Sequence, residues 1–132
     1  MAEANGNRYY VMESKKQFGQ RGEDLAVEFL LEEGYEILER NWHFGHTEVD
    51  IVARDGAILV IAEVKTRSGN TYGEPSVAVD FRKQRTLIFA AERYLFGHQL
   101  DLEVRFDIIS IIIEPGRTVL EHIKEAFHPV AR

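Results

Sequence analysis

Two carboxylates and one amine in this chain are spaced so that they can meet. Asp50 lies in the alternating run Thr47–Arg54 (TEVDIVAR), and Glu63 and Lys65 close the apolar run Ala57–Thr66 (AILVIAEVKT) that follows. Asp55-Gly56 between them is a strong hairpin signal. A turn centred there places Asp50 opposite Ile61 and Glu48 opposite Glu63. Because strand side chains repeat every two residues, Glu48, Asp50, Glu63 and Lys65 then share one face. Asp50 and Glu63 become diagonal neighbours, about 7–8 Å apart at the backbone, and both can reach a single cation. Leu59 and Ile61 occupy the same face, so these charges border a core. Clustered carboxylates repel one another, and a divalent ion relieves that repulsion. Oxygen-only ligands favour Mg²⁺ or Mn²⁺ over zinc. A cross-strand Lys–Glu pair at a partly exposed sheet end satisfies the same spacing.

Hydrophobic periodicity supplies the elements that would hold these side chains. Residues 1–14 show no clear period and read as a loose, flexible N-terminal arm, leaving 15–132 as a single domain. From about Lys15 to Glu33, apolar residues recur at Phe18, Leu25, Ala26, Phe29 and Leu30, which is helical spacing, with Gly34 as the stop. Tyr35–Phe44 reads as a strand. In Thr47–Arg54, Val49, Ile51 and Ala53 point one way and Glu48, Asp50 and Val52 the other. The long apolar run to Thr66 reads as a central strand. Arg67–Pro75 is a Gly- and Asn-containing loop, and a helix follows from the N-cap Asp80 to Phe96, with Gly97 beyond its end. Glu103–Glu114 is a further strand, and Thr118–Ile123 can add a short edge strand. The order α-β-β-β-α-β predicts an α/β fold, a mixed sheet flanked by helices.

Composition narrows the chemistry. With 45% hydrophobic residues, 132 residues can bury one core. The absence of cysteine excludes disulfides, thiolate nucleophiles and cysteine-based zinc sites, and it permits a cytoplasmic location. Residues 1–20 lack the apolar stretch of a signal peptide, and Ile108–Ile113 is far too short to span a membrane, so a soluble protein is expected. A net charge of −6 weighs against tight, non-specific binding of nucleic acid. The acid is unevenly spread, however: Glu23–Glu39 holds seven carboxylates before any Lys or Arg, whereas Arg82–Arg93 holds four basic residues against one acid. His43 and His46 have no zinc-like spacing, and no Gly-rich phosphate loop or nucleophile elbow is present.

Asp50 followed by Glu63-Val64-Lys65 at the end of the next strand resembles the PD-(D/E)xK signature of restriction-endonuclease-like nucleases. More closely, the chain resembles the YraN-like family of small bacterial proteins, described as predicted endonucleases related to archaeal Holliday junction resolvases. The pieces that match are Gly22-Glu23 with Ala26, Arg40-Asn41, Glu48 to Ala53, Glu63 to Arg67, Tyr72-Gly73, Lys83 and Arg105-Phe106-Asp107, in order over about residues 18–113. The chain departs from the pattern in carrying Thr47 where that family has Gly before Glu-x-Asp, and Val49 where the superfamily has Pro.

The resemblance implies a restriction-endonuclease-like core. It also implies that Asp50, Glu63 and the Val64 carbonyl hold Mg²⁺ or Mn²⁺, and that Lys65 orients or activates the attacking water or stabilises transition-state charge. Glu23, on the edge of the first helix's buried face, matches the helix Glu that leans towards the metal in related resolvases; an acid near a helix start is equally a response to the helix dipole. Glu48 is either an accessory ligand or a solvated strand-end acid. Arg67, Tyr72 and Lys83 could contact the phosphate backbone, whereas Arg105 and Asp107 read as a structural ion pair. The expectation is a metal-dependent hydrolase cutting DNA, including branched DNA, and related resolvases act as dimers. The alternative is a non-catalytic nucleic-acid- or protein-binding module on the same fold.

Overall fold

The computed structural model describes residues 12–69 and 79–129, with the backbones of two short strands at 2–4 and 7–9. Those two, β1 (Ala2–Ala4) and β2 (Asn7–Tyr9), pair with each other in a separate antiparallel ladder. The chain continues as α1 (Lys15–Glu32), β3 (Glu36–Phe44), β4 (Thr47–Asp55), β5 (Ile58–Ser68), α2 (Phe81–Gly97), β6 (Glu103–Glu114) and β7 (Arg117–Phe127). The main sheet has the order β3-β4-β5-β6-β7. Only β5 and β6, joined through α2, run parallel; the other neighbours are antiparallel. This is the expected mixed sheet with two helices, extended by a full fifth strand.

Local chemistry sets the helix ends. Ser14 accepts from the Gln17 backbone while the Gln17 side chain accepts from the Ser14 N–H, closing a capping box at the start of α1. At its other end Gly34 takes φ +91°, the Gly34 N–H donates to Leu31 and the Tyr35 N–H donates to Leu30, a Schellman closure. Asp80 caps α2 by accepting from the Lys83 backbone. Gly97, expected beyond that helix, is its last residue, and Gln99 takes the left-handed turn at φ +54°.

The sheet is buried on both faces. On one side Ala26 and Leu30 of α1 pack with Ile51, Ala53, Val60, Ala62, Ile109 and Ile111. On the other, Leu87, Ala90, Ala91 and Tyr94 of α2 pack with Val49, Val52, Leu59, Ile61, Phe106 and Ile108. Fully burying each large apolar side chain contributes roughly 1.5–3 kcal/mol, so these two layers hold the strand ends in place. β6 lies between β5 and β7, and within its run Ile108–Ile113 the side chains of Ile108, Ile109 and Ile111 are buried in the core.

Two sequence expectations are corrected. First, Ile51 pairs with Ala62 and Asp55 with Ile58, so the turn is Gly56-Ala57 and not Asp55-Gly56. Gly56 has φ +60° and Ala57 has no positive φ, as a two-residue turn with Gly in first place requires. Second, Val49 joins Val52 on the α2 side while Ile51 joins Ala53 on the α1 side, so the alternation breaks between Val49 and Ile51. The facing strand is irregular at the same level, where Asn41 adopts φ +49°.

Candidate active site

The register shift brings the two key acids closer than the sequence implied. One step beyond the Ile51–Ala62 pair, Asp50 stands level with Glu63 instead of diagonal to it. One oxygen of the Asp50 carboxyl accepts from the Val64 backbone N–H at 2.8 Å. Burial and the adjacent Glu63 carboxylate push Asp50 up to about 7; Val64's N–H pulls the other way, while a hydrogen bond to the Glu63 side chain and the charge of Glu48 add to the rise. Two carboxyl groups thus share a site in which both cannot ionise freely.

Glu63 is level with Ile108 and therefore faces α2. Lys83 of α2 lies above it, its Nζ 3.9 Å from a Glu63 carboxylate oxygen and 3.4 Å from the Glu48 carbonyl oxygen. Lys83, expected to contact phosphate, here reaches Glu63 of the acidic pair and the Glu48 carbonyl. Lys65, two residues along β5, is partly buried and has no hydrogen bond or ion pair among the described residues.

Asp50, Val64 and Lys65 open onto a cleft of about 1070 Å³ between the start of α1 and the end of β5. Glu23, Asn41 and Glu48 also line it. Glu23 is buried at 7% exposure. Arg40 donates to one of its oxygens at 3.2 and 3.3 Å, and the Asn41 side chain donates to the other at 2.9 Å. It therefore shares the cleft with Asp50 but is committed to neighbours on β3. Gly22 is the reason α1 sits so low: a β-carbon there would run into the Thr66 side chain. Glu48 is half-buried and lies 3.4 Å from His43.

Arg67 lines the same cleft and donates to the Ser110 hydroxyl at 3.3 Å. Tyr72 lies outside the described residues. Lys15 and Lys16, which sequence reasoning passed over, also line the cleft, alongside Glu13 and Glu23; the signal was their place at the head of a helix with no acid in its first turn. Arg105 and Asp107 form the expected ion pair, at 2.8 Å, away from the cleft. His122 joins them 2.7 Å from Asp107, a partner that no spacing announced because it comes from β7.

Among the described residues no cluster of three or more Asp, Glu or His side chains is assembled around a common point. The donor chemistry nevertheless suits a hard cation. Two adjacent carboxyl groups, one with its proton affinity raised by the other, gain from a divalent ion between them, and Mg²⁺ binds through one or two carboxylates with water completing its shell.

Fold and cleft together define an α/β domain with a carboxylate pair at the ends of two neighbouring central strands. The chain belongs to the uncharacterised protein family UPF0102, which it matches over residues 22–111, from Gly22 of α1 to Ile111 of β6. A UPF0102 protein of Bacteroides thetaiotaomicron is 48% identical over 118 residues, 89% of this chain and 98% of the relative. One from Flavobacterium psychrophilum is 45% identical over 117 residues, with 89% and 98% covered. One from Parabacteroides distasonis is 38% identical over 121 residues, with 92% and 100% covered. No helix among the described residues is long and apolar enough to cross a membrane.

Proposed function

We propose that this protein is a Mg²⁺- or Mn²⁺-dependent nuclease of the PD-(D/E)xK type that hydrolyses phosphodiester bonds in DNA. The observation that carries this reading is the meeting of Asp50 and Glu63 at the strand ends, beside an uncommitted Lys65, with Asp50 and Lys65 both on an open cleft. Asp50, Glu63 and the Val64 carbonyl would hold the cation. When bound, it would polarise the phosphoryl oxygen and supply hydroxide near neutral pH.

The chain's own residues do the remaining work in this reading. Lys65 places its ammonium where charge develops on the phosphate and orients the attacking water. Lys83 holds Glu63 in position until the cation takes over part of that role. Lys15, Lys16 and Arg67 offer cationic groups for the DNA backbone on a cleft that also carries Glu13, Glu23, Glu48 and Asp50, so the basic side chains there balance the acids locally in a chain of net charge −6. Glu23 acts here as a wall residue that fixes Arg40 and Asn41, and not as a ligand.

The test is a panel of linear, nicked, flap and four-way-junction DNA with Mn²⁺ or Mg²⁺. Wild-type protein should cut at least one form, chelator should abolish cutting, and Asp50→Ala and Lys65→Ala should each reduce the rate at least ~100-fold, in keeping with the loss of a principal electrostatic group. Equal background from all three proteins across the panel would sink the reading in favour of a binding module.

A further inference from the structure

We propose that Lys83 is the resident counter-cation of the Asp50–Glu63 pair, expelled when a divalent ion binds there and thereby freed to meet an anionic group of the substrate. The inference rests on the metal-binding part of the function proposed above and adds how that site is regulated. Lys83 stands in the first turn of α2, three residues after the N-cap Asp80, which accepts from its backbone N–H at 2.9 Å. A cation is disfavoured there, because the N-terminal end of a helix already carries partial positive charge. Its place four residues before the buried Leu87 sets it on the face that α2 turns to the sheet. Something on the sheet must compensate it.

Glu63 and Glu48 supply that compensation. The Lys83 ammonium is 3.9 Å from a Glu63 carboxylate oxygen and 3.4 Å from the Glu48 carbonyl oxygen. Among the described residues, Lys83 alone forms an ion pair with Glu63 or Asp50. The Glu63 side chain is 13% exposed and that of Lys83 34%, so the acid is enclosed while the amine borders solvent. At 3.9 Å the two groups attract without a hydrogen bond, which N–H donors make at about 2.7–3.2 Å. The contact neutralises charge and commits little of the carboxylate's bonding capacity.

Competition follows from charge. Asp50 and Glu63 repel each other in a buried place, and a single ammonium offsets at most one of their two charges. Both are offset by a divalent ion, which also repels the ammonium beside it. Once its partner oxygen is taken, the flexible four-carbon stem of Lys83 carries its charge towards solvent. The phosphate contact expected from the sequence and the acid contact in the structure are then successive positions of one side chain. Lys65 does not share this role, since it has no hydrogen bond or ion pair among the described residues.

Two measurements on the full chain at mildly alkaline pH test it. Calorimetric titration with Mn²⁺ should give a Kd at least ~10-fold tighter for Lys83→Met than for wild type, the scale of removing one charge about 4 Å from a divalent ion in solvated surroundings. Brief acetylation of wild-type protein, read by peptide mass spectrometry, should modify Lys83 several-fold faster in saturating Mn²⁺ than in chelator, because an amine released from a carboxylate reacts more readily. The exposed Lys124 should react at one rate in both conditions, and Asp50→Asn protein should show no increase at Lys83. If Mn²⁺ binds the wild type but either the tighter Kd or the faster acetylation is missing, the proposal falls while the metal site stands. If the wild type binds no Mn²⁺, the metal reading falls and takes this proposal with it.

Discussion

Replacing Asp50 by Asn should make the metal-free protein more stable, although a buried polar contact is being altered. Asn has the shape of a protonated Asp: its side-chain oxygen can still accept from the Val64 N–H, and its amide can donate to Glu63. Burial and Glu63 raise the Asp50 carboxyl from an ordinary 3.8 to about 7. The folded state therefore binds this proton more tightly than the unfolded chain does. Stability must fall as pH rises from about 4 to about 7, and the full deficit is present above that. Every tenfold gain in proton affinity on folding is worth about 1.4 kcal/mol, giving an upper bound of roughly 4 kcal/mol. Sharing of the titration with Glu63 and partial access of water cut this to on the order of 2 kcal/mol. For a domain of this size that is about 6–10 °C in melting temperature. Thermal unfolding in chelator, followed by circular dichroism, should show Asp50→Asn ahead of wild type at about pH 8 and level with it near pH 4. Mn²⁺ should then raise the wild type and leave the variant unmoved, since only a ligand that binds the native state stabilises it. A variant no more stable than wild type at alkaline pH, or ahead by the same margin at every pH, would refute the reasoning.

Gly22→Ala should destabilise by about 1–3 kcal/mol in urea, because α1 must be lifted off Thr66; adding Thr66→Ala should recover part of the loss. Asp107 is buried and held below the usual carboxylate range: its hydrogen bonds with His122 and Arg105, and one from the Glu125 backbone, outweigh the opposing effect of burial. Asp107→Ala should therefore cost about 3–5 kcal/mol near neutral pH by stranding Arg105 and His122. A depressed carboxyl contributes fully above its unfolded value and is lost as pH falls through its folded one. The gap between this variant and wild type, read by denaturant titration, should accordingly close in acid.

The fold was legible where periodicity and punctuation agree. Leu25, Ala26, Phe29 and Leu30 announce α1, Asp80 announces α2, and the unbroken apolar stretch of β5 places it centrally. β7 was under-read, because an exposed edge strand such as Thr118–Ile123 carries little apolar pattern for a period to reveal. The turn was misplaced for a local reason. Asp-Gly is a strong hairpin signal only when both residues can take positive φ, whereas here Gly56 alone does so and Ala57 follows it.

That error was harmless to the site for a physical reason. A register shift of two residues preserves the face on which every side chain lies, so Asp50 and Glu63 still converge and end up directly opposite each other. A shift of one would have sent Asp50 to the far side of the sheet. What strand parity could not reveal is the irregularity at Asn41 and Asp50, which breaks the alternation expected from Val49 to Ile51 and lets Asp50 reach the Val64 N–H, the Glu63 carboxyl and the cleft together. Nor could it reveal that Glu23 would be taken by Arg40 and Asn41, since that depends on how close α1 approaches the sheet. Gly22, conspicuous in sequence only as a helix-weakening residue, sets that distance. The acids of this cleft are thus placed by two backbone features, the left-handed conformation of Asn41 opposite Asp50 and a missing side chain at Gly22, and changing either should disturb the site while leaving its carboxylates intact.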